Sequence, residues 1–190
     1  MSNKKIYRDN FIVITGGPGS GKTTVLEEIQ KNGYKIVSEV AREIIQTQVS
    51  SNGDALPWKN VKNYRDLMLD KSVDSYLAAL STPTNQPLFF DRGIPDTLTY
   101  SHLINISISK KLEDVARKYR YNKQVFILPP WKEIYINDQE RKQDFDEAVE
   151  TYNIMMETYK QLDYEIMEVP RMGIKQRANY IIENVLHNCM

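Results

Sequence analysis

An α/β fold with a five-stranded parallel sheet and helices on both faces is predicted for this 190-residue chain by three observations. Strand-like apolar runs alternate with helix-length segments, the pattern of successive βα units. The runs suit strands that are covered on both faces. A glycine-rich turn joins the first run directly to an amphipathic segment.

The strands are placed at Phe11–Thr15, Tyr34–Ser38, Leu88–Asp91, Gln124–Leu128 and Tyr164–Val169. After the glycine turn, Val25, Leu26 and Ile29 form one helical face, and Asn32-Gly33 stops that helix as a left-handed cap. Ala41–Val49, Trp58–Leu80, Asp96–Asn105, Lys110–Tyr119, Phe145–Leu162 and Ile174–Leu186 are the further helices. Phe145, Tyr152, Met155, Met156 and Tyr159 recur at helical spacing as a core stripe. Two segments fall outside the scheme. Ser50–Pro57 is turn-rich, and Pro129–Arg141 opens on Pro-Pro, which ends the fourth strand. Ligands of open α/β sheets sit beyond the carboxyl ends of the strands, which makes the two segments a candidate substrate loop and lid. A plain solvated loop is the competing account of the first.

The glycine turn reads Gly16-Gly17-Pro18-Gly19-Ser20-Gly21-Lys22-Thr23, a complete G-x-x-x-x-G-K-[ST] between a strand and a helix. Glycine there lets successive N–H groups face inward as a nest for an anion, reinforced by the positive end of the helix. Gly16 to Thr24 are the expected nucleotide contacts, Lys22 on the β- and γ-phosphates and Thr23 on Mg²⁺. A dinucleotide-binding G-x-G-x-x-G fails, because Lys22 or Thr24 stands where its third glycine belongs.

Leu88-Phe89-Phe90-Asp91 is an apolar strand ending in an acid, the pattern of a second metal-side residue, so Asp91 joins Thr23 as an expected Mg²⁺ group. Arg92 follows, placed to meet a transferring phosphoryl group. Glu39 ends the second strand, where a carboxylate orients and deprotonates an acceptor hydroxyl; a local ion pair with Arg42 is the competing account. Arg141 and Lys142 are candidate lid cations over the phosphates, or solvated charges.

Composition narrows the class. The 25 basic and 25 acidic side chains cancel, so no global field attracts nucleic acid or an acidic membrane. One cysteine, Cys189, excludes an internal disulfide framework, and His102 and His187 lie too far apart for a zinc pair. No apolar run approaches the roughly 18 residues that span a bilayer, and the first residues lack a secretory apolar region. One cytoplasmic domain over residues 1–190 is the expectation, its oligomeric state left open.

The loop Gly16–Thr24, Ser38-Glu39-Val40-Ala41-Arg42-Glu43, and Phe90-Asp91-Arg92-Gly93 with Pro95-Asp96 together resemble the P-loop ATPase/kinase family that includes the nicotinamide riboside kinase domain of NadR. The later stretches Tyr119–Asn122, Val125–Trp131 and Ile134-Tyr135 with Asp138, Glu140 and Arg141 resemble a "predicted ATPase" branch of it. The resemblance implies a nucleoside-kinase-like fold with strand order 2-3-1-4-5, and an acid–arginine pair at Asp91 and Arg92.

Three function classes fit. The first is a phosphotransferase using Mg·ATP on a small, nucleoside-like acceptor. The second is an NTP-hydrolysing switch. Asn122-Lys123-Gln124-Val125 lacks the guanine-reading Asp of a Ras-like GTPase, and Asp91-Arg92-Gly93-Ile94 misses the switch glycine. The third is a non-enzymatic nucleotide-sensing module.

Overall fold

The computed structural model describes residues 5–135 and 145–188. In chain order the elements are β1 (Ile6–Tyr7), β2 (Phe11–Gly16), α1 (Lys22–Lys31), β3 (Lys35–Val37), α2 (Val40–Ser50), α3 (Val61–Leu80), β4 (Leu88–Asp91), α4 (Pro95–Leu103), α5 (Lys110–Lys118), β5 (Tyr119–Arg120), β6 (Gln124–Leu128), α6 (Phe145–Gln161), β7 (Glu165–Glu168) and α7 (Ile174–Asn188). A short 3₁₀ turn, Lys132–Ile134, follows β6.

The main sheet is parallel and runs β3-β4-β2-β6-β7. Counting only its own strands this is the order 2-3-1-4-5, as the resemblance implies. Period-two alternation divides the core between the faces. Phe11, Val13, Phe90, Val125 and Ile127 pack on one face under α3, α4, α5 and α6. Ile12, Ile14, Phe89, Phe126 and Leu128 pack on the other against Val25 and Ile29 of α1 and Ala178 and Ile181 of α7. Each such aliphatic side chain taken from water contributes about 1.5–3 kcal/mol, so the two faces clamp β2 and the loop it feeds. Cover on both faces is complete only in the middle. β2 is buried throughout, whereas the edge strands β3 and β7 are half-exposed.

Local chemistry moves several boundaries. Asn60 caps α3 by accepting from the Asn63 amide, so Trp58 and Lys59 stay outside the helix. Pro95 takes the first helical position of α4, one residue before the expected start. Gly33 has φ +91°, the left-handed stop expected after α1. The pair β1·β5 carries no sequence signal because each strand is two residues long. It is held from within: the Tyr76 hydroxyl lies 3.0 Å from the Ile6 carbonyl and 2.8 Å from that of Arg120. Of the expected stripe on α6, Tyr152, Met155 and Tyr159 are buried in the core and Met156 packs against it, whereas Phe145 packs on Tyr135 instead. Among the described residues no helix is long and apolar enough to cross a membrane.

Candidate active site

Three strands, β2, β3 and β4, deliver their carboxyl ends to one cleft. β2 runs straight into the glycine loop, which is carried by two left-handed glycines, Gly19 at φ +74° and Gly21 at φ +79°. A Cβ on Gly19 would collide with the Tyr135 ring, so the loop sits beneath that side chain. Tyr135 itself packs edge-on against Phe145 at the start of α6. Gly21 is the N-cap of α1, so the first turn of that helix points its free amides into the cleft. Lys22, Thr23 and Thr24 follow: Lys22 is buried, Thr23 is exposed, and Thr24 spends its hydroxyl on the Gly21 carbonyl at 2.8 Å.

Pairing of β2 with β4 sets Asp91 opposite Ile14 and beside the loop. Its carboxylate makes an ion pair with Lys22. Arg92 then takes a left-handed backbone, φ +70°, with its amide on the Ile14 carbonyl at 3.0 Å. A non-glycine residue held there stores on the order of 1–3 kcal/mol, and such outliers cluster at functional sites. The turn aims the guanidinium back across the sheet. Its Nε donates to Glu39 at 2.7 Å, and Nη1 donates to Asp96 at 3.2 Å. Glu39 stands at the N-cap position of α2, two residues past β3, and spends its carboxylate on Arg92 and not on the helix; Arg42 is exposed, which sets aside the local Glu39–Arg42 pair.

Asp96, which the sequence marked within Pro95-Asp96 without giving it a role, is the hub. It is 6% exposed and accepts from Thr15 Oγ1 (2.6 Å), the Tyr159 hydroxyl (2.5 Å), the Gly93 amide (2.8 Å) and Arg92. β2, α4 and α6 are thus tied through one carboxylate. Gly93 is confined as well, since a Cβ there would press on Val13, Tyr121 and Tyr159.

The electrostatics follow from burial. Burial lowers the Lys22 pKa and the Arg92 charge adds to this, while Asp91 and Glu39 oppose it. Burial raises the Asp91 carboxyl despite Lys22. Burial would raise Glu39 too, but the charges of Arg92 and Lys22 outweigh it and hold Glu39 below its ordinary range. The two neighbouring carboxyls are thereby shifted in opposite directions, Asp91 up and Glu39 down.

Two cavities meet at this cluster. One, of about 460 Å³, is lined by Gly17 to Thr24 together with Glu39, Arg92, Ile134, Ile174 and Arg177. The other, of about 180 Å³, lies between α2, α3, α4 and α6, with Tyr64, Met68, Tyr100 and Met155 among its walls. Pro18, Glu39 and Arg92 line both. The structure therefore brings Lys22, Thr23, Glu39, Asp91 and Arg92 together. Arg141 and Lys142, with the lid segment beyond Tyr135, lie outside the described residues. Ser50–Pro57 does not serve as a substrate loop: the 11 residues of α2 carry the chain about 16 Å from the strand ends, and none of the segment lines either cavity.

Among the described residues no group of three or more His, Cys, Asp or Glu could hold a metal. One or two protein oxygens with phosphate oxygens is how Mg²⁺ is commonly taken, and exposed Thr23, next in chain to the Lys22 that pairs with Asp91, fits that mode. Arg177 is the residue that sequence reasoning missed altogether. It is 4% exposed on α7, and its Nη1 donates to the Ser20 carbonyl at 3.0 Å.

The family profile described as AAA domain matches residues 11–177, and the chain belongs to that family. The fold is shared with the NadR protein in complex with NR, at 17% identity and TM-score 0.67, over 97% of this chain and 51% of that one. This chain thus spans about half the length of that neighbour. Deoxyadenosine kinase from M. mycoides with bound dATP aligns at 16% identity and TM-score 0.59, over 93% and 99% of the two chains. Shikimate kinase from Acinetobacter baumannii in complex with shikimate aligns at 14% identity and TM-score 0.53, over 94% and 93%. Among curated proteins the sequence matches none. The chain has a nucleotide-binding, kinase-like P-loop fold.

Proposed function

We propose that this AAA domain protein acts in the cytoplasm as a phosphotransferase, moving the γ-phosphoryl group of Mg·ATP to a hydroxyl of a small, nucleoside-like acceptor. The observation that carries it is the shared wall: Glu39 and Arg92 line both the loop cavity and the second cavity. Hydrolysis needs only a water beside the γ-phosphate. A separate, aromatic-walled cavity next to it supports an organic acceptor instead.

In this reading the loop amides and the α1 terminus hold the β- and γ-phosphates, and Lys22 leaves Asp91 for them. Thr23 and Asp91 would hold Mg²⁺, which when bound neutralises charge on the phosphate oxygens. Arg92 bridges the cavities and steadies charge spread over the group in flight. Glu39 receives the acceptor hydroxyl; with its proton affinity held down by Arg92, it first orients the hydroxyl and takes the proton as Arg92 turns to phosphate. Asp96 keeps Arg92 within reach of both cavities.

Incubation with Mg·ATP and a panel of nucleosides and related hydroxyl compounds, followed by product analysis, tests this. A phosphorylated acceptor is expected. Free phosphate in equal amount with and without every acceptor overturns transfer in favour of hydrolysis, and no turnover favours a sensing module.

A further inference from the structure

Arg177 stands apart from the charges of the proposed phosphoryl-transfer site. Lys22 and Arg92 each have a carboxylate within hydrogen-bond distance. Among the described residues no carboxylate pairs with Arg177. The side chain is nonetheless 4% exposed, and its Nε is buried without a hydrogen-bond partner. Its contacts are the Ser20 carbonyl at 3.0 Å and the Trp131 ring, whose centroid lies 5.4 Å from the guanidinium carbon. A Cβ on Gly21 would lie 3.0 Å from Nη1 and 3.1 Å from Nη2, so the guanidinium lies against the loop backbone at the mouth of α1. A buried cation with no counter-charge is costly, and sites are where folds retain such groups.

The placement says which part of a ligand this charge serves. Arg177, Ile134 and Ile174 line the same cavity as the loop, along with Glu39 and Arg92. Lys22, Asp91, Glu39 and Arg92 form one cluster, at the end where the second cavity opens. Arg177 belongs with the apolar side chains Ile134 and Ile174 and with Trp131. A nucleotide whose terminal phosphate lies at the cluster has its inner phosphate and base on the Arg177 side.

We propose that Arg177 is a nucleotide-positioning residue that supplies the counter-charge for the inner, α-phosphate end of the bound nucleotide. This rests on the reading of the loop cavity as a nucleoside triphosphate site, and it adds a residue that no motif marks. The loop amides and Lys22 serve the outer phosphates; Arg177, held by Ser20 and Trp131, serves the inner one. Removing it therefore weakens AMP, ADP and ATP alike, whereas removing Lys22 weakens only nucleotides that reach the outer positions.

The experiment measures calorimetric affinity for AMP, ADP and ATP, and the melting temperature without nucleotide, for wild type, Arg177→Met, Arg177→Lys and Lys22→Ala. The Met variant is expected to lose roughly tenfold or more in affinity for all three nucleotides, the size of a lost hydrogen bond to a charged group. Without nucleotide it is expected to melt within about 4 °C of wild type, since the removed charge had no carboxylate to lose. The Lys variant is expected to recover part of the affinity. Unchanged affinities in the Met variant overturn the assignment. So does a Met variant that fails to fold or melts far below wild type, because Arg177 is then a structural tie. Weakening confined to ATP and ADP overturns its placement at the inner phosphate. A wild-type protein that binds none of the three nucleotides defeats the nucleotide-site reading itself, a result distinct from any of these.

Discussion

The two flanks of the phosphate loop hold their cations differently. Towards β3 and β4, Lys22 pairs with Asp91, and Arg92 pairs with Glu39 at 2.7 Å and with Asp96 at 3.2 Å. Towards α7, Arg177 has a backbone carbonyl and a tryptophan face. A cross-linked cluster is rigid before any ligand arrives, which suits atoms that must sit within tenths of an ångström during transfer. An uncompensated cation fixes little geometry and gains most when an anion appears. In the proposed reading the first flank serves reaction and the second serves holding. That division can be broken by substitution, one flank at a time.

The largest effect is expected from Lys22→Ala. Turnover falls roughly 10³-fold or more, since a phosphate charge and a transition-state charge are lost together. Asp91 is left buried without its partner, so its carboxyl rises further. Phosphate release or transfer assayed alongside calorimetry checks this. Turnover within a few-fold of wild type would remove Lys22 from the reacting flank.

Glu39→Gln comes next. The amide still accepts from Arg92, so nucleotide affinity stays near wild type, while kcat falls about 10²-fold or more through loss of the base. Steady-state kinetics with the best acceptor decide it. A full kcat transfers the role of base to Asp91.

Asp96→Asn probes how the reacting flank is held. Four donors converge on this carboxylate, so an amide NH₂ faces a donor in any orientation. A loss of about 3 kcal/mol is expected, as when one member of a buried ion pair is removed. Thermal unfolding should fall by roughly 6–12 °C, and kcat should fall with it because Arg92 is no longer held. An unshifted melt would mean that α6 and β2 are joined by packing alone.

The same comparison explains what the sequence could carry. The loop, Asp91 and Glu39 are legible because each is a local pattern at a strand end, and strand ends of a parallel sheet gather at one edge whatever the details. The strand order came with the resemblance and the sheet has it. Asp96 is different: its partners Thr15 and Tyr159 lie 81 and 63 residues away, so only the folded chain reveals that Asp96 is a hub. In sequence it is an acid in the first turn of a helix, a common and stabilising position. Arg177 is hidden more deeply, flanked by exposed Lys175, Gln176 and Asn179, and joined to Ser20 across 157 residues. The sequence sign that could have found it is the face it shares with Ala178 and Ile181, both core. The wrongly placed substrate loop has a geometric cause: α2 is long enough to carry its far end away from the site.

The smallest effect concerns protons within the reacting flank. Burial raises Asp91 above its ordinary 3.8 and the Glu39 charge adds to it, while Glu39 is held below 4.5 by Arg92 and Lys22 against its own burial. On lowering the pH, Asp91 therefore takes up its proton earlier, and Glu39 later, than an ordinary Asp and an ordinary Glu do. The sign is fixed: kcat/KM falls as pH drops through the raised Asp91 value, and rises again when raising the pH restores the carboxylate. Asp91→Asn removes that group. Its residual activity, lower than wild type at every Mg²⁺ concentration, should keep level to a more acid pH before falling with Glu39. Profiles of kcat/KM against pH for the two proteins, taken where both remain folded by circular dichroism, make the comparison. Superimposable acid limbs would show that Asp91 is not the group that titrates, and that the pair Lys22–Asp91 stays charged across the range.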